Sequence, residues 1–201
     1  MNIAVYSGSF NPLHIGHLAI IRHMIEVAGF DMVYLIVSPK NPLKDGISSD
    51  SGRERYKAAV EAVERRFLRS GLSASGRNDS KAVEARVKVD DIELNMPEPH
   101  YTIRTLDALK EREPDNRFTL VMGADNLADI RRWRDYARIL KEFGVAVFPR
   151  EGHDLTEIKQ DLLKEDPAYK IQILDAEMVD ISSTQIREAI ARGEDISHCL
   201  M

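Results

Sequence analysis

The chain has 201 residues, 43% hydrophobic and 30% charged, which suits one domain with a sizeable core and excludes wholesale disorder. Its 28 lysines and arginines against 33 aspartates and glutamates leave a net charge of −5. That balance disfavours a surface that grips a nucleic-acid backbone, but it permits a local cationic pocket for a small phosphorylated ligand.

Apolar runs reach only about six residues, against the ~20 needed to span a bilayer, so no membrane partner is expected. The opening MNIAVYSGSF lacks the basic start and long apolar stretch of a signal peptide. The single cysteine, Cys199, cannot form an internal disulfide, which fits a reducing cytoplasm.

Residues 2–7 form a short apolar run that stops at Gly8, and a turn-rich stretch follows. HLAIIRHMIEVAG reads as a helix closed by Gly29 in the left-handed conformation. Residues 32–38 are a continuous apolar run, the pattern of a strand buried on both faces of a parallel sheet. The opening is therefore a βαβ unit. Residues 53–68 have helical periodicity, and the polar, Gly/Ser-rich 69–84 read as a flexible insertion. Residues 85–94 alternate and suggest a strand.

Thr102 to Arg112 form a helix stopped before Pro114, and 117–123 a strand ending in glycine. Trp133 to Phe143 read as a helix, 145–148 as a strand, 154–165 as a helix and 169–174 as a strand. Ser183 to Arg192 form a last helix closed by Gly193. Strands alternating with helices predict an α/β fold: a Rossmann-like, doubly wound, mostly parallel sheet in a single domain, 1–201, with the insertion at 69–84. Ligands of such folds bind at the carboxyl ends of the strands, so the turns there carry the functional reading.

The first turn holds Gly8, Ser9, Phe10, Asn11, Pro12, Leu13, His14, Ile15, Gly16 and His17. Free N–H groups, a helix dipole and two imidazoles at a helix start suit phosphate oxygens. The turn is neither a Walker A loop nor G-x-G-x-x-G. No acidic residue or cysteine lies close in sequence to make His14 and His17 metal ligands, and no metal residue is assigned. The last turn, Ile181 to Arg187, places Ser183 and Thr184 before a helix, with hydroxyls and N–H groups facing outward. Arg187 lies one turn in, where its guanidinium reaches the same anion.

G-S-F-x-P-x-H-x-G-H resembles the signature of the H-x-G-H nucleotidylyltransferase superfamily, and I-S-S-T-x-I-R resembles its partner motif. Class I aminoacyl-tRNA synthetases share a related motif, but this chain is short for one and lacks K-M-S-K-S. The middle resembles the nicotinate-nucleotide adenylyltransferase family through PKNPLK (39–44), YTIRTL (101–106), GADNLADIRRW (123–133) and FPREG (148–152). The likeness runs from residue 2 to about residue 193.

It implies transfer of AMP from ATP to nicotinate mononucleotide, giving deamido-NAD and pyrophosphate in NAD biosynthesis. By that resemblance His14, His17 and Arg187 are catalytic. ATP is held by Gly8, Ser9, Phe10, His14, His17, Gly123, Asp125, Ile181, Ser183, Thr184 and Arg187. Nicotinate mononucleotide is held by Asn11, Lys44, Tyr101, Thr102, Thr105, Trp133 and Arg150.

Several of these assignments make chemical sense without the family. Lys44 supplies positive charge after the second strand, where Lys40 is either a second cation or a solvated loop residue. Tyr101 and Thr102 begin a helix whose N–H groups suit a carboxylate. Thr105 either lines that pocket or packs. Asp125 suits a ribose hydroxyl, and Trp133 a pyridine ring to stack on. Arg131, Arg132 and Arg134 read as a solvated face. Asn11 stands where family members often carry Asp, so it orients without adding charge.

Mg²⁺ is expected to travel with ATP and pyrophosphate, without a protein cage. Alternatives are nicotinamide mononucleotide or pantetheine-phosphate as acceptor, or a silent nucleotide-binding sensor. No nucleic-acid partner is expected, and both monomer and homodimer stay open.

Overall fold

The computed structural model describes residues 1–39, 52–68, 86–176 and 181–201. The expected insertion at 69–84, Lys40 and Lys44 lie outside the described residues.

Six strands form one sheet: β1 (Asn2–Gly8), β2 (Met32–Val37), β3 (Val87–Asp90), β4 (Arg117–Gly123), β5 (Val145–Phe148) and β6 (Ile171–Ile173). All pair in parallel, in the order β3-β2-β1-β4-β5-β6. The helices are α1 (Ile15–Glu26), α2 (Gly52–Leu68), α3 (Thr102–Arg112), α4 (Ala124–Ala128), α5 (Tyr136–Arg138), α6 (Leu155–Glu165) and α7 (Ser183–Ala191).

The continuous apolar strands are explained by two cores. Ile3, Val5, Ile36, Leu120 and Val147 face one side, against α3, α4 and α6. Ala4, Leu35, Val37, Val121 and Ala146 face the other, against α1 and α2. A strand buried on both faces has no polar side to alternate with. The chain leaves β1 toward β2 on one side and returns through β4 on the other. The crevice between the carboxyl ends of β1 and β4 is therefore the topological switch point.

Three expected elements change. Helix α1 starts at Ile15 rather than His17, because His14 is its N-cap. The strand expected over 85–94 stops at Asp90 and becomes a 3₁₀ turn, Ile92–Asn95. Asp90 ends it: its buried carboxylate accepts from the Ile92 N–H at 3.0 Å and from Arg112 at 2.7 Å. That local bond offers the backbone an alternative to the ladder.

The helix expected over 133–143 begins only at Tyr136. Trp133 is extended, Asp135 is left-handed with φ 53°, and α5 runs on into a π turn, Ile139–Phe143. The short helix α4 and the 3₁₀ turn Ser197–Cys199 had no counterpart in the sequence reading.

Candidate active site

The site is built on the first turn. Gly8 ends β1, and Phe10 follows at φ 45°, a conformation that L residues rarely adopt. Phe10 is buried, its ring edge-on to Tyr6 at 5.5 Å and to His17 at 5.3 Å. It acts as a wedge under the imidazole, so any part it plays toward a nucleotide falls to its backbone.

His14 caps α1 with its ring. Nδ1 of His14 accepts from the Gly16 N–H at 3.2 Å, and Nδ1 of His17 accepts from the His14 N–H at 3.2 Å. The two rings lie against each other at a tilt of 43°, centroids 3.8 Å apart. A nitrogen that accepts an N–H must hold a lone pair, so each neutral ring carries its proton on Nε2. Burial holds His14 at a pKa of about 4, with Arg150 adding to the effect. Burial, then His14, then Arg150 hold His17 at about 3. Both rings are neutral donors at pH 7 and present Nε2–H. Gly16 suits the tight spacing: a Cβ there would lie 3.0 Å from the His14 ring and 3.1 Å from Ile181, so both would have to give way.

The last turn docks directly on the first. Arg187 donates from Nη1 to the Asn11 carbonyl at 2.9 Å and from Nη2 to Thr184 Oγ1 at 3.0 Å. Ser183 donates to the Pro12 carbonyl at 3.3 Å. Ser182 is the N-cap of α7, in a reciprocal box with Gln185. The Ser183 hydroxyl is thus engaged across the two turns, whereas the Thr184 hydroxyl accepts from Arg187 and stays exposed. What α7 offers an anion is its first N–H groups, which have no intrahelical acceptor.

The third component lies at β4 and β5. A Cβ on Gly123 would fall on Asp125 Oδ1, so only glycine lets that carboxylate fold back over the strand end. Arg150 lies 3.9 Å from Asp125 and 5.5 Å over the Phe148 ring. Its charge reaches both histidines, which makes it part of the same electrostatic site.

The α3 end carries the remaining expected residues. Tyr101 is the N-cap of α3, with no side-chain cap bond, so the first N–H groups are open to a carboxylate. A cavity of about 400 Å³ opens there, lined by Pro99, Tyr101, Ile103, Arg104, Arg134 and Asp135. Arg104 donates to the Pro97 and Pro99 carbonyls, and Arg134 pairs with Asp135. Arg134 lies at the rim of the cavity with its side chain largely exposed, as the solvated-face reading expected. Trp133, half-buried against one core, keeps its Nε1–H buried without a partner. Thr105 is buried and donates to Glu93 at 2.8 Å, so its hydroxyl is already committed inside the fold.

Besides Asp90, sequence reasoning missed two buried charged groups. Glu93 accepts from Thr105 and from Ser38. Arg55 donates to three carbonyls at the ends of β1 and β2. The signal for Arg55 was available: it lies four residues before Ala59 on the core-facing side of α2.

The cytidylyltransferase-like family model matches residues 5–189. A Flavobacterium johnsoniae relative named nicotinate-nucleotide adenylyltransferase is 36% identical over 200 residues, covering 100% of this chain and 92% of that one. A Bacteroides fragilis relative of the same name is 35% identical, covering 98% and 85%. A solved Plasmodium falciparum nicotinic acid mononucleotide adenylyltransferase, complexed with NaAD, shares the fold: TM-score 0.72 at 20% identity, covering 98% of this chain and 87% of that one. The chain belongs to the cytidylyltransferase-like family and, within it, to the nicotinate-nucleotide adenylyltransferases.

Proposed function

We propose that the protein transfers the adenylyl group of ATP to nicotinate mononucleotide, forming deamido-NAD and pyrophosphate. One observation carries the mechanism. The first and last turns, 176 residues apart in sequence, are bonded to each other around two neutral histidines.

A 5′-phosphate oxygen of the acceptor attacks the α-phosphorus of ATP. The new O–P bond forms as the bond to the β-phosphate bridging oxygen breaks, and that oxygen leaves with pyrophosphate. No protein nucleophile enters this balance. The chain supplies positioning and charge stabilisation. Nε2–H of His14 and His17 donates to phosphate oxygens as charge moves toward the leaving group. Arg187 and the first N–H groups of α7 hold the departing phosphates. The first N–H groups of α3 receive the nicotinate carboxylate, with Trp133 beside the ring.

Mg²⁺ is expected to accompany ATP, held by phosphates and water. Among the described residues no three His, Cys, Asp or Glu side chains converge to hold an ion. A cytoplasmic setting fits the biosynthetic role and the lone cysteine. No described helix is long and apolar enough to cross a membrane.

The test is pyrophosphate release from ATP with each acceptor in turn. Nicotinate mononucleotide should give the highest kcat/KM. A higher value for nicotinamide mononucleotide or phosphopantetheine refutes the acceptor assignment. No turnover with any of them refutes the transfer reading.

A further inference from the structure

Arg55 is the most deeply enclosed arginine of the described chain, 7% exposed on the inner side of α2. Its neighbours on that side, Ala59, Ala62 and Val63, belong to the apolar packing of one core. An apolar side chain would satisfy that packing at lower cost, because a buried guanidinium must find acceptors for its donors.

The acceptors it finds are not in the helix. Nη1 donates to the carbonyl of Ser9 at 2.8 Å and to that of Ser38 at 2.8 Å. Nη2 donates to the carbonyl of Pro39 at 2.8 Å. Ser9 belongs to the first turn and directly precedes the strained Phe10. Ser38 and Pro39 are the exit of β2. One planar fork therefore holds two strand ends together, which a lysine ammonium cannot reproduce with the same directions.

The grip extends further. The Ser38 hydroxyl lies 3.4 Å from that of Ser7 on β1 and donates to Glu93. Glu93 accepts in turn from Thr105, one turn into α3. A chain of hydrogen bonds, part-buried and ending in the buried Thr105–Glu93 bond, joins the first turn, the β2 exit and the start of α3. On the transfer reading, these carry the triphosphate site and the acceptor site.

We infer that Arg55 is a positioning residue for adenylyl transfer: by holding Ser9 against Ser38 and Pro39 it sets where the His14–His17 pair meets the ATP phosphates. This rests on the transfer reading for its kinetic consequence, though not for its geometric one. Phe10 cannot hold φ 45° by preference, so the surrounding structure must fix it. Phe10 in turn supports the His17 ring. Releasing Ser9 lets the wedge relax and the imidazole move.

The experiment compares wild type, Arg55→Ala, Arg55→Lys and, as a control on the exposed side of the same helix, Arg53→Ala. Three quantities are read: folded fraction by circular dichroism, kcat and KM per folded molecule, and the ring Cε1–H resonances of His14 and His17 without ligand. An ångström of misplacement costs about 10²-fold, so Arg55→Ala and Arg55→Lys should lose roughly 10- to 100-fold in kcat. KM for nicotinate mononucleotide should move less than about threefold, since uniform binding is untouched.

Both histidine resonances should shift or broaden in the Arg55 variants and stay put in Arg53→Ala. Guanidinium ion should restore activity to Arg55→Ala, and ethylammonium should not. If Arg55→Ala does not fold, Arg55→Lys decides. A folded Arg55 variant with unmoved histidine resonances, or with kcat per folded molecule within threefold of wild type, overturns the inference. Should wild type release no pyrophosphate with any acceptor while the resonances still move, the transfer reading fails and the geometric role stands.

Discussion

Replacing His17 tests the site most sharply, because its two nitrogens do separable things. On the transfer reading Nε2–H is the donor to phosphate, whereas Nδ1 accepts from the His14 N–H at 3.2 Å. His17→Ala removes both. Losing one preorganised donor costs about 10²–10³ in kcat, or roughly 3–4 kcal/mol of transition-state stabilisation. Losing the cap bond costs about 0.5–2 kcal/mol of stability.

His17→Asn puts an amide oxygen near the Nδ1 position and nothing at Nε2. It should recover most of the stability and none of the rate. His17→Gln reaches the Nε2 position with an amide N–H but leaves the cap unmade. It should recover part of the rate at reduced stability. Urea midpoints give the first quantity, and pyrophosphate release the second. A His17→Asn enzyme within threefold of wild-type kcat refutes the donor role.

Three further outcomes follow from the same geometry. Both histidines titrate below their unfolded value near 6.5, so the unfolded chain takes up protons first as pH falls. Their stabilising contribution is complete above pH 6.5 and declines toward pH 4 and 3, by up to about 1.4 kcal/mol per pH unit for each ring. Urea titrations at pH 7, 6 and 5 should show that slope, halved in His17→Gln; equal slopes in the two proteins refute it. Arg150→Ala removes a charge that lowers both pKa values, so NMR titration should show both histidines moving upward; unmoved values place Arg150 outside the site. Gly16→Ala drives a methyl to 3.0 Å from the His14 ring. It should cost about 1–3 kcal/mol of stability by overpacking and at least tenfold in kcat by displacing the ring, whereas wild-type kinetics refute the tight-fit argument.

Much of this was legible in the chain because its signals are local. β1, β2, β4 and β5 are short apolar runs bounded by Gly, Ser or Pro, and two-sided burial needs no finer pattern. The first and last turns, which the structure bonds to each other, are contiguous motifs. What escaped lies where a side chain competes with the backbone or acts at long range. Asp90 ends β3 through its own carboxylate, so an alternating run became a turn. Asp135 takes the left-handed conformation, which aspartate tolerates, and so delays the helix that Trp133 was expected to start.

His14 caps a helix, a place that sequence rules reserve for Ser, Thr, Asp, Asn or Gly. Arg55 and Ser9 are 46 residues apart, and only the closed fold brings them together.

On the transfer reading, His14 shows why this turn favours imidazoles over lysines for meeting a triphosphate. Each Nδ1 lone pair receives a backbone N–H, and that one bond fixes the ring, caps the helix and selects the Nε2–H tautomer. A second proton would have to enter at Nδ1, breaking the cap and placing like charges on rings 3.8 Å apart. Burial is the larger cause of the low pKa values, and Arg150 adds to it at both rings. The donors remain neutral, so they strengthen as charge develops on the phosphates without binding pyrophosphate as tightly as a fixed cation would. Arg187 carries the formal charge in the turn, and it spends two of its donors tying the turns together. Its charge and geometry are linked: on the transfer reading, any substitution that weakens its hold on the phosphates also loosens the bond that ties the last turn to the first.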